Sequence, residues 1–171
     1  LVAAGALASG STFVVSDKQE NYEGLGHYKL HPRKESTSSV NPDSNHYNSW
    51  RIFRYADVLL LAVELEIRMN GSVSSQAQGW FDQIRDRAFG DKNHRINLSG
   101  KSKEELLDII FDERGYEFID EMQRWFDIMR FDKGEEILAS KGWTEKYRYF
   151  PICQSEIDKS KGGLTQNEAW L

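Results

Sequence analysis

Ala56-Asp57-Val58-Leu59-Leu60-Leu61-Ala62-Val63-Glu64-Leu65-Glu66-Ile67 is the stretch whose reading decides the fold. Ala56, Leu59, Leu60, Val63 and Ile67 recur at the i, i+3, i+4, i+7, i+11 spacing of one helix face. Val58, Leu61, Ala62 and Leu65 carry the apolar surface beyond that face, which predicts a helix packed between neighbours. The periodicity begins near Ile52, and Asn70-Gly71 closes it with the signal of a left-handed cap.

A second helix is predicted from Ser75 to Ala88, with Ala77, Trp80, Phe81, Ile84 and Ala88 on its apolar side. The short connection between the two predicts an antiparallel hairpin. A third helix begins at Ser102, where Ser102 and Glu105 have the spacing of a capping box. Its stripe of Leu106, Ile109 and Ile110 extends onto Glu113 and Glu117. A carboxylate buried without a partner costs several kcal/mol, so both acids require cations. Arg114 and Arg124 are the nearest candidates, with Arg130 and Asp127 close behind. The sequence thus predicts an ion-pair knot of Glu113, Arg114, Glu117, Arg124, Asp127 and Arg130. In it, loss of Arg124 would strand a carboxylate at a cost of roughly 3 kcal/mol.

Further on, a short helix is predicted over residues 135–141, ended by Gly142-Trp143. Residues 147–152 read as extended, and Ser155 reads as the cap of a last turn over residues 156–159. Residues 1–50 are rich in Gly, Ser, Asn and Asp and read as a loop-rich segment, with short strands possible at residues 12–15 and 28–30. Residues 51–171 form the helical region. The stacked helix pairs predict a mainly α fold, although no repeat consensus is visible at 34 residues.

The formal charge of −5 argues against a non-specific nucleic-acid binder, which carries a basic patch. A single cysteine, Cys153, rules out an intrachain disulfide. No apolar run approaches the roughly 20 residues of a membrane-spanning helix.

Several motifs together resemble the SusD/RagB family of outer-membrane nutrient-binding lipoproteins, specifically its C-terminal region. They are Arg54-Tyr55-Ala56-Asp57-Val58-Leu59-Leu60-Leu61 with Glu64, and Ile84-Arg85-Asp86-Arg87-Ala88. Glu113-Arg114, Glu117-Phe118, Arg124-Trp125-Phe126-Asp127 and Arg130 follow. Phe150-Pro151-Ile152, Gln154-Ser155-Glu156-Ile157 and Leu164-Thr165-Gln166-Asn167 complete the set. The resemblance runs from Ile52 to Leu171. It departs from the family at Cys153, where proline is usual, at Met122, where glycine is common, and at Gly115.

The resemblance implies tetratricopeptide-like helical hairpins with long irregular loops, and a chain that is part of a single larger domain. It implies a glycan or other small nutrient as ligand, without catalysis or cofactor. It also implies a TonB-dependent, SusC-like transporter as partner. The location would be the extracellular face of the outer membrane, reached through an N-terminal lipid anchor on a Cys that this chain does not contain.

Glu113 and Glu117, one turn apart, invite a glycosidase reading, which needs two facing acids about 5–9.5 Å apart. Beside arginines they read instead as structural, because a general acid needs a raised pKa. The histidines His27, His31, His46 and His94 have no ligand spacing that would hold a metal. Cys153 reads as a small buried hydrophobe. Trp50, Trp80, Trp125 and Trp170 read as core residues. The loop aromatics Trp143, Tyr147 and Tyr47, with His46, are the ligand candidates, since a pyranose C–H face stacks on a flat ring. On this reading Trp143→Ala weakens glycan contact and spares stability. The alternatives are a helical protein-interaction scaffold without sugar binding, or a glycan-active enzyme using Glu113 and Glu117.

Overall fold

The structure, a computed structural model, describes residues 51–171 together with two short strands, β1 (Val2–Ala3) and β2 (Leu25–Gly26). The chain divides into two units, Leu1–Ile52 and Phe53–Leu171. In the first, β1 and β2 pair antiparallel, Val2 opposite Gly26. The strands expected at residues 12–15 and 28–30 lie outside the described residues.

The second unit is helical: α1 (Tyr55–Asn70), α2 (Ser75–Phe89), α3 (Lys103–Glu117), α4 (Arg124–Arg130), α5 (Gly134–Leu138) and α6 (Gln154–Lys159). Tight 3-10 turns at Ala139–Lys141, Glu145–Arg148 and Glu168–Trp170 fill the C-terminal stretch. The fold is mainly α, built on helical hairpins.

The helix ends follow the local chemistry. Gly71 and Gly90 cap α1 and α2 in the left-handed region, at φ 70° and 76°, where a side chain would be strained. Ser74 accepts from the Ala77 amide at the start of α2. Ser102 and Glu105 form the full capping box at the start of α3.

Helix α1 runs antiparallel to both partners. Arg54 and Tyr55 at its start share a 280 Å³ cleft with Ile84 and Arg87 near the end of α2. Lys103 at the start of α3 donates to the Arg68 carbonyl near the end of α1, at 2.7 Å. Between the helices lie Leu60, Val63, Ile67, Ala77, Phe81, Leu106 and Ile110, sealed from water. Gln78 pins the α2–α3 connection by donating to Ile96 O and accepting from Leu98 N, which seats Leu98 in the same core.

Four local expectations are corrected. Among the described residues helix α1 is covered on one face, and Tyr55, Val58, Leu65 and Met69 stay exposed, because α2 and α3 both pack against the opposite side. Residues 145–148 form a 3-10 turn rather than extended chain, and extended geometry resumes only at Tyr149. Cys153 is exposed rather than buried, because it is the residue that starts α6, with its Sγ 3.2 Å from Ser155 Oγ. Ser155 itself lies inside α6, not at its cap.

Candidate functional site

Two features concentrate chemistry in the helical unit: an ionic frame and an aromatic cavity. The frame begins at Arg114, which donates to Asp57 Oδ1 at 2.7 Å and to Asp127 Oδ1 at 2.9 Å. Asp127 Oδ1 also accepts from Arg130 at 2.7 Å. Arg130 in turn pairs with Glu64, which accepts from Arg68 one helical turn along, at 2.7 Å. Asp57 and Glu64 come from α1, Arg114 from α3, and Asp127 and Arg130 from α4, so the frame fastens three helices together. At Arg130 burial disfavours the charge, yet hydrogen bonds to Glu64 and Asp127 prevail and raise its pKa.

Glu113 and Glu117 are both buried, but their cations differ from those expected. Glu113 pairs with Arg85 of α2. Glu117 accepts from Arg54 at 2.6 Å and pairs with Arg87. Arg54 also reaches Glu121, at 2.7 Å. The sequence pointed to arginines nearby in the chain. The acids instead turn toward the α1–α2 hairpin, because that is the surface their face of α3 is packed on. Contrary to the expectation that arginines beside them would deny these acids a raised pKa, burial pushes the Glu113 carboxyl above its ordinary value, against the opposing pull of Arg85. Neither acid opens onto water as a pair of catalytic carboxylates must.

Arg124 lies apart from the frame. Among the described residues no carboxylate pairs with it. Its guanidinium lies 4.0 Å from the Phe111 ring centroid and donates to the Phe111 carbonyl at 3.2 Å. Gly115 makes this possible: a Cβ there would stand 2.7 Å from Arg124 Nη1. Arg54, Asp57, Glu64, Arg85 and Arg87 complete the charge pattern. Sequence reasoning missed their role, although the acids and arginines placed on the inner faces of α1 and α2 were the available signal.

The second feature is a cavity of about 530 Å³ beside α4 and α5. Among the described residues, Trp125, Trp143, Tyr147, Tyr149, Phe150 and Trp170 supply its rings and Lys141 its one charged side chain. Tyr147 and Trp170 meet edge to face at 5.6 Å, and Trp125 and Phe150 stand 6.5 Å apart. The C-terminal stretch is held in place through its backbone. Trp170 donates to Tyr149 O at 2.8 Å, Asn167 to Phe150 O at 2.7 Å, and Gln166 bonds both the amide and the carbonyl of Ile152. Lys146 lies 4.6 Å from the Trp170 ring centroid and 5.2 Å from that of Tyr147.

Of the predicted ligand residues, Trp143 and Tyr147 come together at this cavity. Trp143 was expected in a loop, where its loss would spare stability. It is instead 7% exposed, its ring is packed on Gly134, and its indole N–H is buried with no partner among the described residues. Tyr47, His46, Trp50, His27 and His31 lie outside the described residues. His94 stacks on Phe89 with centroids 4.1 Å apart, and no metal-holding cluster occurs among the described residues. Trp125 and Trp170, read as core from sequence, line the cavity, while Trp80 packs against the core.

Comparison with known proteins agrees with this architecture. The pattern of the SusD family matches residues 8–142. This chain belongs to the SusD family. The match reaches into the segment before Ile52, where sequence reading found no pattern, and stops short of the closing turns. SusD-like protein P2 of Formosa agariphila is 38% identical over 92 residues, covering 52% of this chain and 18% of that protein. SusD-like protein P38 of the same organism is 32% identical over 124 residues, covering 68% and 24%. Among solved structures, surface glycan-binding protein A from Bacteroides thetaiotaomicron in complex with laminarihexaose matches with a TM-score of 0.58 and 33% identity. That match covers 74% of this chain and 26% of that one. The chain therefore spans about a quarter or less of the length of these SusD-like relatives.

The SusD departures noted at Met122 and Gly115 have local causes. Met122 sits in the left-handed region at φ 60°, which glycine adopts without steric cost. Gly115 clears the space that the Arg124 guanidinium fills.

Proposed function

We propose that this chain is the C-terminal helical part of a protein that holds glycans at the bacterial cell surface without cleaving them. From there it passes them to a TonB-dependent, SusC-like transporter in the outer membrane. The observation that carries this reading is the likeness to a surface glycan-binding protein in complex with laminarihexaose, at 33% identity over most of this chain. Family kinship supports a location at the outer membrane's outer face, held there by a lipid anchor.

The geometry is in keeping with a binding role. Buried ion pairs across α1, α3 and α4 give a rigid frame, and rigid frames that carry loop sites suit recognition. The pair of acids that a hydrolase would need, Glu113 and Glu117, is buried against Arg85, Arg54 and Arg87.

The test is a glycan array followed by calorimetry, with laminarihexaose as the first probe, and a parallel assay for reducing ends. Saturable binding without release of reducing ends is the expected result. Release that Glu117→Gln abolishes would overturn the non-catalytic reading. Co-purification from outer membranes tests the transporter step. Capture of the transporter by a protein that binds no glycan would favour a scaffold instead.

A further inference from the structure

We propose that the aromatic cavity beside α4 and α5 is a stacking subsite for an oligosaccharide. This inference rests on the glycan-binding reading and assigns it a place within this chain.

Composition is the first argument. Among the described residues the lining presents six aromatic rings against two aliphatic side chains, Leu138 and Pro151. Several rings remain wet: Tyr149 is 64% exposed and Phe150 78%. A pyranose offers an apolar C–H face to such a surface and keeps its hydroxyls at the edge. The volume of about 530 Å³ falls within the range of small-molecule sites, about 300–1,000 Å³.

Polar groups are the second argument. The cavity has hydrogen-bonding groups that the fold leaves unused. Among the described residues no carboxylate pairs with Lys141, and no group bonds the phenol hydroxyls of Tyr147 and Tyr149. Sugar hydroxyls and ring oxygens can accept from such donors. No carboxylate among the described residues lines the cavity either, so the site as described would hold a sugar without attacking its linkage.

Rigidity is the third. The Trp170, Asn167 and Gln166 bonds fix the backbone at Tyr149, Phe150 and Ile152. Rings set in place before binding lose less freedom when a ligand arrives.

The experiment titrates the parent protein with each glycan that an array scores as bound, laminarihexaose included, and repeats the titration with Tyr149→Ala/Phe150→Ala. Both side chains are exposed and the bonds near them use backbone carbonyls, so the melting temperature should hold. The expected result is at least a tenfold loss of affinity, with Tyr116→Ala, on the surface of α3, unchanged. A folded double variant at parent affinity overturns the subsite and leaves the glycan-binding reading intact. A parent that binds no glycan on the array overturns both. Should the double variant melt early, Tyr147→Phe and Lys141→Met each remove one polar group and preserve packing. Parent affinity in both of those also overturns the subsite.

Discussion

Arg114 donates through Nε to Asp127 Oδ1 at 2.9 Å, with the two side chains only 3% and 2% exposed. The same guanidinium reaches Asp57 at 2.7 Å, so one cation serves two buried acids on different helices. Removing it leaves two carboxylates in a low-dielectric interior. Breaking a buried pair from one side costs about 3–5 kcal/mol. Arg114→Met should therefore lower the unfolding free energy from urea titration by that amount or prevent folding. A value within about 0.5 kcal/mol of the parent, the range of a surface change, would show that the frame is not structural.

Arg124 leads to a different expectation. Its contacts are the Phe111 ring and one carbonyl, worth about 0.5–1 kcal/mol for an exposed cation over a ring and about 0.5–1.5 kcal/mol for a hydrogen bond. Arg124→Ala should thus cost about 1–2.5 kcal/mol, less than if it stranded an acid. Gly115 sharpens the test. In the Arg124→Ala background, Gly115→Ala should stabilise by about 0.8–1 kcal/mol through helix propensity. In the parent, the new Cβ would displace the guanidinium and cancel part of that gain. Equal effects of Gly115→Ala in both backgrounds would remove the proposed contact.

Helices α1 to α3 were legible because each signal was local. The spacing of Leu59, Leu60, Val63 and Ile67, the Asn70-Gly71 end and the Ser102–Glu105 box all act within a few residues along the chain. That Glu113 and Glu117 required cations was legible too, since their burial followed from the stripe of α3. Which cations was not legible. Arg85 and Arg54 lie 28 and 63 positions away in the chain, and only packing brings them near. The cavity was harder still. It depends on irregular turns, where Trp143 and Tyr149 look alike in sequence, yet one is buried against Gly134 and the other stands in water.

Trp143 follows from that distinction. As a buried ring, its replacement by alanine should cost about 3–5 kcal/mol, so reduced glycan binding by Trp143→Ala could not be separated from loss of fold. Gly134 reports on the same packing from the other side. A Cβ there would stand 2.5 Å from the far edge of the indole, which has no flexible end to yield. Gly134→Ala should cost about 1–3 kcal/mol and alter the near-ultraviolet dichroism of the tryptophans. A full-strength parent spectrum with unchanged stability would mean the ring is not seated on Gly134.

Glu113 gives a pH signature of definite sign. Burial raises its folded-state pKa above the ordinary value of 4.5, despite Arg85. Such a group contributes stability that is fully present below the unfolded value and is lost as pH rises through the folded one. Glu105 and Asp86 run the other way. A backbone hydrogen bond from Ser102 lowers the first and the hydrogen bond from Arg95 lowers the second, so their contributions are lost in acid. Comparing the parent with Glu113→Gln cancels those opposing groups, which are common to both. As pH falls from about 7 toward 4.5, the parent should gain stability relative to Glu113→Gln, read as diverging urea midpoints. If the midpoints stay parallel, or the parent loses ground in acid, then Arg85 rather than burial sets the protonation of this carboxyl.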